Sequence, residues 1–308
     1  MANQVKNGRA FEYACALAIA DICSNVEFVI DTPFLTAKKE YEALTEEKRV
    51  NDIKASKTAL KIIKGLEPQI EHGSGTLYVS LAADALGIAG DVRDVMLLRK
   101  NNWQCGFSCK HNHEAVKHYR VTTDPDFSYN WIGIHCSDEF KDLMKPVYET
   151  LNANFGSEWP SQDEKDRLYY SPTLNAYRDE IERLARVYEN VSGLLLKSFF
   201  GSNDFYKIIM LESERTVTVE GFNIYGSLNK KVGTYKPVRV PKLKMPTRLI
   251  EASRPRWNTI ELVFDEGWAV EMRLHNKDKK IRASALAWNI ELIGVPPYFF
   301  VNTRPWDE

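Results

Sequence analysis

The chain has 308 residues, 44% of them hydrophobic, which is enough for a substantial core in one large domain or two smaller ones. Its 41 Lys and Arg nearly balance 42 Asp and Glu, so overall charge neither demands nor excludes a polyanionic partner, and only the distribution of charge is informative. No secretory signal opens the chain and no apolar run reaches membrane-spanning length, so a cytoplasmic protein with no membrane partner is expected; Cys15, Cys23, Cys105, Cys109 and Cys136, odd in number and irregularly spaced, argue against a disulfide framework or a four-ligand zinc site.

In chain order, Asn7 can cap a helix through "GRAFEYACALAIADICS", whose apolar residues at mixed helical spacings predict a well-buried element. "VEFVIDT" reads as a short strand. Residues 38–66 read as two charged amphipathic helices, with Ile53, Leu60, Ile63 and Leu66 on the apolar face of the second. "TLYVSL" (76–81) reads as a strand. Val95 to Leu98, a polar turn "RKNN" (99–102) and the alternating "WQCGFSCK" (103–110) form a β-hairpin. "HEAVKHYR" has helical character and "WIGIHCS" that of a strand. From Lys141 to about Phe200 the pattern is helical; after Gly201, "YKIIMLES", "RTVTVEGFNIYG", "TIELVFDEGWAVEMRLHN" and "LAWNIELIG" read as strands. Residues 1–200 are thus expected to form a core with helical insertions and residues 201–308 a β-rich region packed on it.

Charge in the last third is uneven. Between Ser227 and Arg256 stand Lys230, Lys231, Lys236, Arg239, Lys242, Lys244, Arg248, Arg254 and Arg256 against one acid, Glu251, with prolines that exclude a single helix. Such a stretch is either a solvated basic surface or a contact for a phosphate backbone.

The hairpin carries the chemistry. His111, His113 and His118 invite a metal reading, but His113-Glu114 lacks the second histidine of a metalloprotease helix, and neighbouring lysines and arginine disfavour a bound cation. The tripeptide H-N-H is not the nuclease motif of that name, whose residues are spread over two strands and a helix. Asp91 and Asp94, by contrast, approach the first strand and Lys110 ends the second. A hairpin brings those positions together. Carboxylate oxygens suit Mg²⁺, a hard cation, and a lysine beside it can orient water and offset charge developing on a phosphate, as metal-dependent phosphodiester hydrolysis requires.

This arrangement resembles the PD-(D/E)XK nuclease superfamily, with Asp94 as the first acid and Lys110 as the lysine; Ser108 stands where the pattern has its second acid. Asp91 or Glu12 can supply the missing metal ligand, and so can Glu114, Asp124 or Asp126 from downstream. Glu12, on the first helix, matches a glutamate that members often direct at the metal. "GDVRDV", "FSCKHNHEAVKHYR", "SNDFYKI", "GWAVEMRLHN" and "IELIGVP" together resemble the HaeIII-type restriction endonucleases across nearly the whole chain. The resemblance implies an α/β (α+β) fold with a mixed central sheet flanked by helices. It further implies a type II enzyme that cuts double-stranded DNA at GGCC with Mg²⁺, and a cognate DNA methyltransferase in the host. The alternative is a non-catalytic DNA-binding protein on the same fold, suggested by Ser108 and by Ala285 and Ala287, where a polar or basic residue is expected.

A GGCC reader needs donors for guanine N7 and O6. Arg254 and Arg256 in "SRPRW", and Arg273, His275 and Asn276 in "MRLHN", are the candidates, with salt bridges or phosphate contacts as their plainer roles. His111, Asn112 and His113 follow the lysine and are expected beside the cut phosphate, with Lys117 and Arg120 extending the contact along a helix that Asn112 could cap. A two-fold symmetric site suggests a homodimer.

Overall fold

The computed structural model describes residues 2–83, 91–122 and 126–306. It divides into two compact units, one of Met1–Glu114, Gly201–Leu243 and Tyr298–Glu308, the other of Ala115–Phe200 and Lys244–Pro297. The expected boundary at residue 200 is therefore not the one the chain adopts. Strands after Gly201 return to complete the first unit's sheet before the chain crosses again.

The first unit opens with α1 (Ala2–Ala20), β1 (Val26–Phe28), α2 (Thr32–Glu42) and α3 (Glu46–Leu66). α1 begins ahead of Asn7, which is an interior residue rather than its cap. α2 starts at Asp31, whose carboxylate accepts the Phe34 N–H at 3.1 Å, with Pro33 in the first turn. α3 is capped by Thr45 and carries Glu46 and Glu47 at the positive end of its dipole. The short α4 (Gln69–His72) leads to β2 (Leu77–Leu81), β3 (Val95–Leu98) and β4 (Gln104–His111). Next, β5 (Lys117–Arg120) belongs to the second unit, and β6 (Phe205–Leu211), β7 (Thr216–Phe222) and the last strand, β12 (Phe300–Pro305), to the first.

The first sheet is mixed, in the order β1-β2-β3-β4-β6-β7-β12, with β1/β2 and β4/β6 parallel. Side chains alternate across β4. Cys105, Phe107 and Cys109 join the core with Phe11, Cys15, Leu60 and Ile63 from α1 and α3. Gly106, Ser108 and Lys110 take the opposite face. The hairpin is as expected, with Val95 opposite Phe107 and Leu98 opposite Gln104. In its turn Lys100, Asn101 and Asn102 are exposed as their polarity suggests, but Arg99 is not. Arg99 is buried and donates to the carbonyls of Gln69, Ile70, Ser74 and Gly75, tying the turn to α4 and the loop that follows it.

The second unit holds α5 (Phe127–Ile132), α6 (Asp138–Ala153), α7 (Ser171–Val187) and α8 (Val191–Phe200). Its antiparallel sheet runs β5-β11-β10-β9-β8, from β8 (Leu249–Arg256), β9 (Thr259–Phe264), β10 (Ala269–Asn276) and β11 (Leu286–Gly294). Val270, Met272, Leu274, Trp288 and Ile290 are buried on one face, where Tyr177 of α7 meets Trp288 with ring centroids 5.1 Å apart. Two expectations fail in this unit. "KHYR" is a strand paired with β11, because Lys117 to Arg120 complete that sheet's edge. The "WIGIHCS" segment begins as the end of α5, which Asp126 caps and Gly133, at φ 73°, terminates.

One buried acid ties the first unit together. Glu67, at the end of α3, is fully buried, and its Oε1 accepts the Tyr206 hydroxyl at 2.8 Å and the Asn229 N–H. Burial lifts its carboxyl from 4.5 to about 7, ahead of the opposing hydrogen bonds from Asn229 and Tyr206. A carboxyl with a raised folded pKa holds its proton more tightly when folded, so its stabilisation is full below pH 4.5 and is lost as pH rises through about 7. Glu67→Gln keeps both acceptor bonds and removes the titration. Thermal melts should show the variant gaining on the parent protein between pH 5 and pH 8, at about 2–4 °C per kcal/mol. A pH-independent difference would remove Glu67 as the titrating group.

Candidate active site

Asp94 lies just before β3, its N–H bonded to the Phe107 carbonyl at 2.7 Å. Its Oδ2 accepts the Cys109 N–H at 2.7 Å and the Ser108 hydroxyl at 3.3 Å, and the Lys110 ammonium stands 3.7 Å away. Asp94 and Lys110 therefore meet as the hairpin predicted. Ser108, in the second acid's place, fixes the orientation of the first acid instead of adding a charge. Burial pushes the Asp94 carboxyl up, against the pull of Lys110 and the bonds from Cys109 and Ser108. With 28% of its side chain exposed, the carboxylate stays accessible from solvent.

Asp91 does not join it. Arg93 donates to Asp91 Oδ1 through Nε at 2.8 Å and to Oδ2 through Nη2 at 2.6 Å, and Asn203 adds a bond to Oδ2 at 3.2 Å. A carboxylate clamped by a guanidinium has little left for a cation, and here it fixes the approach to β3. Arg93 lies across Gly106, where a Cβ would come within 2.1 Å of its Cδ, and this is what requires glycine at that position. Gly90, the first letter of "GDVRDV", lies outside the described residues, as does Asp124.

Glu12 sits on the side of α1 that packs against β4. Burial chiefly, then Cys15, Asp94 and Glu12, raise the Cys109 thiol. Of the downstream acids, Asp126 is committed to capping α5 and to His135 and Cys136. Glu114 remains close, its carbonyl accepting the Lys207 ammonium at 2.6 Å. Among the described residues no group of three or more His, Cys, Asp or Glu forms a ready metal cage.

The "HNH" letters divide. His111 is buried, because the alternation of β4 turns it toward α1 and α3. Its ring meets Phe11 edge-on, and Nε2 lies 3.9 Å from both Asp52 and Glu212. It is not positioned to touch DNA. Burial lowers its pKa against Glu212, and burial together with Glu212 raises Asp52 to about 7. Asn112, at φ 58°, bonds the Glu212 N–H and the Met210 carbonyl, so it closes a turn and caps no helix. His113 is half-buried.

In the second unit the candidate base readers separate by face. Arg254 donates to Asn175 and Ser171 on α7, and Asn276 accepts the Tyr170 hydroxyl, so both are engaged on the helix side. Arg256 pairs with Glu271. The register places Arg273 and His275 of β10 on the opposite face, level with Asn289 and Ala287 of β11, which in turn pair with His118 and Arg120 of β5. Lys117 points the other way, toward the Tyr119 ring. Ala287 thus stands between Arg120 and His275, and Ala285 is fully buried. The basic stretch also divides. Lys244, Arg248 and Arg256 have acidic partners, whereas Lys230, Lys231, Lys236, Arg239 and Lys242 of the first unit are exposed with no ion pair among the described residues.

Sequence reasoning missed Arg93, Asp52 and, above all, Lys207. Lys207 is 2% exposed and lies directly opposite Ser108 in the β4–β6 register. The signal was a lysine inside the otherwise apolar run "FYKIIML", which a strand buried on both faces cannot leave in solvent.

The family model described as HaeIII restriction endonuclease matches residues 8–296. The type II restriction enzyme HaeIII of Haemophilus aegyptius is 33% identical over 312 residues, covering 98% of this chain and 98% of that enzyme. No solved structure matches.

The two aspartates should behave differently. Asp94→Asn should abolish Mn²⁺ binding followed by electron paramagnetic resonance, while Asp91→Asn should retain it and lower the melting temperature through loss of the Arg93 clamp. Equal loss of Mn²⁺ in both variants would return Asp91 to the metal site.

Proposed function

We propose, for a chain that belongs to the HaeIII restriction endonuclease family and is a type II site-specific deoxyribonuclease, that it cuts double-stranded DNA at GGCC on a PD-(D/E)XK core using Mg²⁺. The observation that carries this reading is the hairpin geometry, with Asp94 and Lys110 3.7 Å apart and Ser108 holding the acid in place.

The residues present fit a hard cation. Asp94 is accessible, and its Oδ1 accepts no hydrogen bond among the described residues. Asp94 would hold the ion with Glu12 as the second acid. Bound there, Mg²⁺ would supply Lewis acidity toward the phosphate and make a bound water more acidic. Lys110 orients the attacking water and offsets charge gathering on the non-bridging phosphate oxygens. Ser108 and the Cys109 N–H hold Asp94 Oδ2, which leaves Oδ1 for the ion.

DNA binding is assigned to two surfaces. Lys230, Lys231, Lys236, Arg239 and Lys242 contact phosphates without reading sequence. The second unit is the recognition region, where Arg273, His275 and Arg120 on the polar sheet face are favoured as base readers over Arg254, Arg256 and Asn276, which spend their donors internally. A palindromic site suits a homodimer, and a methyltransferase of matching specificity protects the host DNA.

Incubation of the protein with plasmid and Mg²⁺ should give discrete fragments ending within GGCC. Lys110→Ala should lower the cleavage rate by about 10²–10³-fold while duplex affinity in Ca²⁺ changes little. Fragments ending elsewhere would refute the GGCC assignment, and a fully active Lys110→Ala would refute the site.

A further inference from the structure

We propose that Lys207 and Glu220 are a positioning pair for the Asp94–Lys110 site, with the Lys207 ammonium standing where an acid at position 108 would recruit a second cation, so that the site takes one divalent ion. The inference rests on the metal-dependent nuclease reading above.

Ser108, Lys207 and Glu220 are direct neighbours across β4, β6 and β7, and so share the face that carries Lys110. Strands about 4.8 Å apart bring these side chains within reach of the same ligand. Lys207 Nζ donates to the Glu114 carbonyl at 2.6 Å and lies 3.3 Å from Glu220 Oε2. A buried ammonium is retained only when partners offset its desolvation, and an apolar residue would fill such a strand position at less risk. Burial lowers the Lys207 pKa most, Glu220 opposes this, and repulsion from Lys110 adds to the lowering, so the two ammonium groups act on each other.

This arrangement has two consequences. The bond to Glu114 pins the chain just beyond Lys110. An acid at position 108 would also place a second carboxylate beside Asp94 and call for a second cation. Serine adds no charge there, and Lys207 fixes a positive one next to it.

The test uses the full-length protein with a GGCC duplex that is non-cleavable at the scissile phosphate, titrated with Mn²⁺ and followed by electron paramagnetic resonance. The parent protein and Ser108→Asp should each bind one ion per chain, and Ser108→Asp/Lys207→Met should bind two. In cleavage assays, Lys207→Met/Glu220→Gln, which removes both charges together, should lower kcat by about 10–100-fold with duplex affinity in Ca²⁺ little changed. Lys207→Arg should recover much of that loss, as a purely packing role would not require. Two ions per parent chain, or wild-type kcat in the neutral pair, would overturn the proposal. Should the neutral pair fail to fold, the parent stoichiometry and Lys207→Arg still decide. A parent protein that cuts no duplex would instead count against the nuclease reading itself.

Discussion

A single carboxylate oxygen organises the first unit. Asp94 Oδ2 takes a backbone N–H, a hydroxyl and the approach of an ammonium from three successive residues of β4. That convergence is possible only because the β3–β4 register brings the entry of one strand beside the exit of the other. Bonds of this kind to an ionised acceptor are stronger than neutral ones, and they oppose without cancelling the burial that raises the Asp94 carboxyl. The surroundings preserve the register. Arg93 lies over Gly106 and clamps Asp91, Asn203 bonds the same carboxylate, and Arg99 ties the hairpin turn to α4.

β4 then divides its duties by alternation. Odd-numbered residues from Cys105 to His111 build the core against α1 and α3, and even-numbered ones from Gly106 to Lys110 build the site. Buried Phe107 is as necessary as Lys110, since its loss would cost about 3–5 kcal/mol of packing and loosen the strand that holds Asp94. The same rule removes His111 from the DNA surface although it follows Lys110 directly. The second unit repeats the logic, with an apolar face against α7 and a polar face bearing Arg273 and His275.

Local chemistry made much of this legible in sequence. The hairpin, the helical middle and the late strands have clear periodicity, the first helix reads instead from its dense apolar residues at mixed spacings, and Asp94 and Lys110 are joined by a short turn that leaves one pairing. What sequence hid depends on pairing between distant segments. Asp91 and Asp94 look equivalent until Arg93 is seen to claim one of them. "KHYR" has helical character alone, and only the open edge of β11 makes it a strand. Lys207 sits 97 positions beyond Lys110 in the chain, and only the parallel β4–β6 pairing places it opposite Ser108. The boundary at residue 200 failed for the same reason, because β6, β7 and β12 continue a sheet begun before residue 82.

The distribution of cations separates affinity from recognition. On the proposed reading, a cation already paired with a carboxylate offers less charge to DNA, so Lys244, Arg248 and Arg256 count for less than their place in the most basic stretch of the sequence suggests. The five exposed cations of residues 230–242 remain available, and they belong to the unit that holds Asp94 and Lys110. On the proposed reading, non-specific grip and chemistry reside in one unit and base readout in the other. The alanine at position 287 then ceases to be a mere departure from pattern. Flanked in register by Arg120 and His275, a small side chain leaves both longer ones room to reach a base edge, where a basic residue would crowd them with like charge.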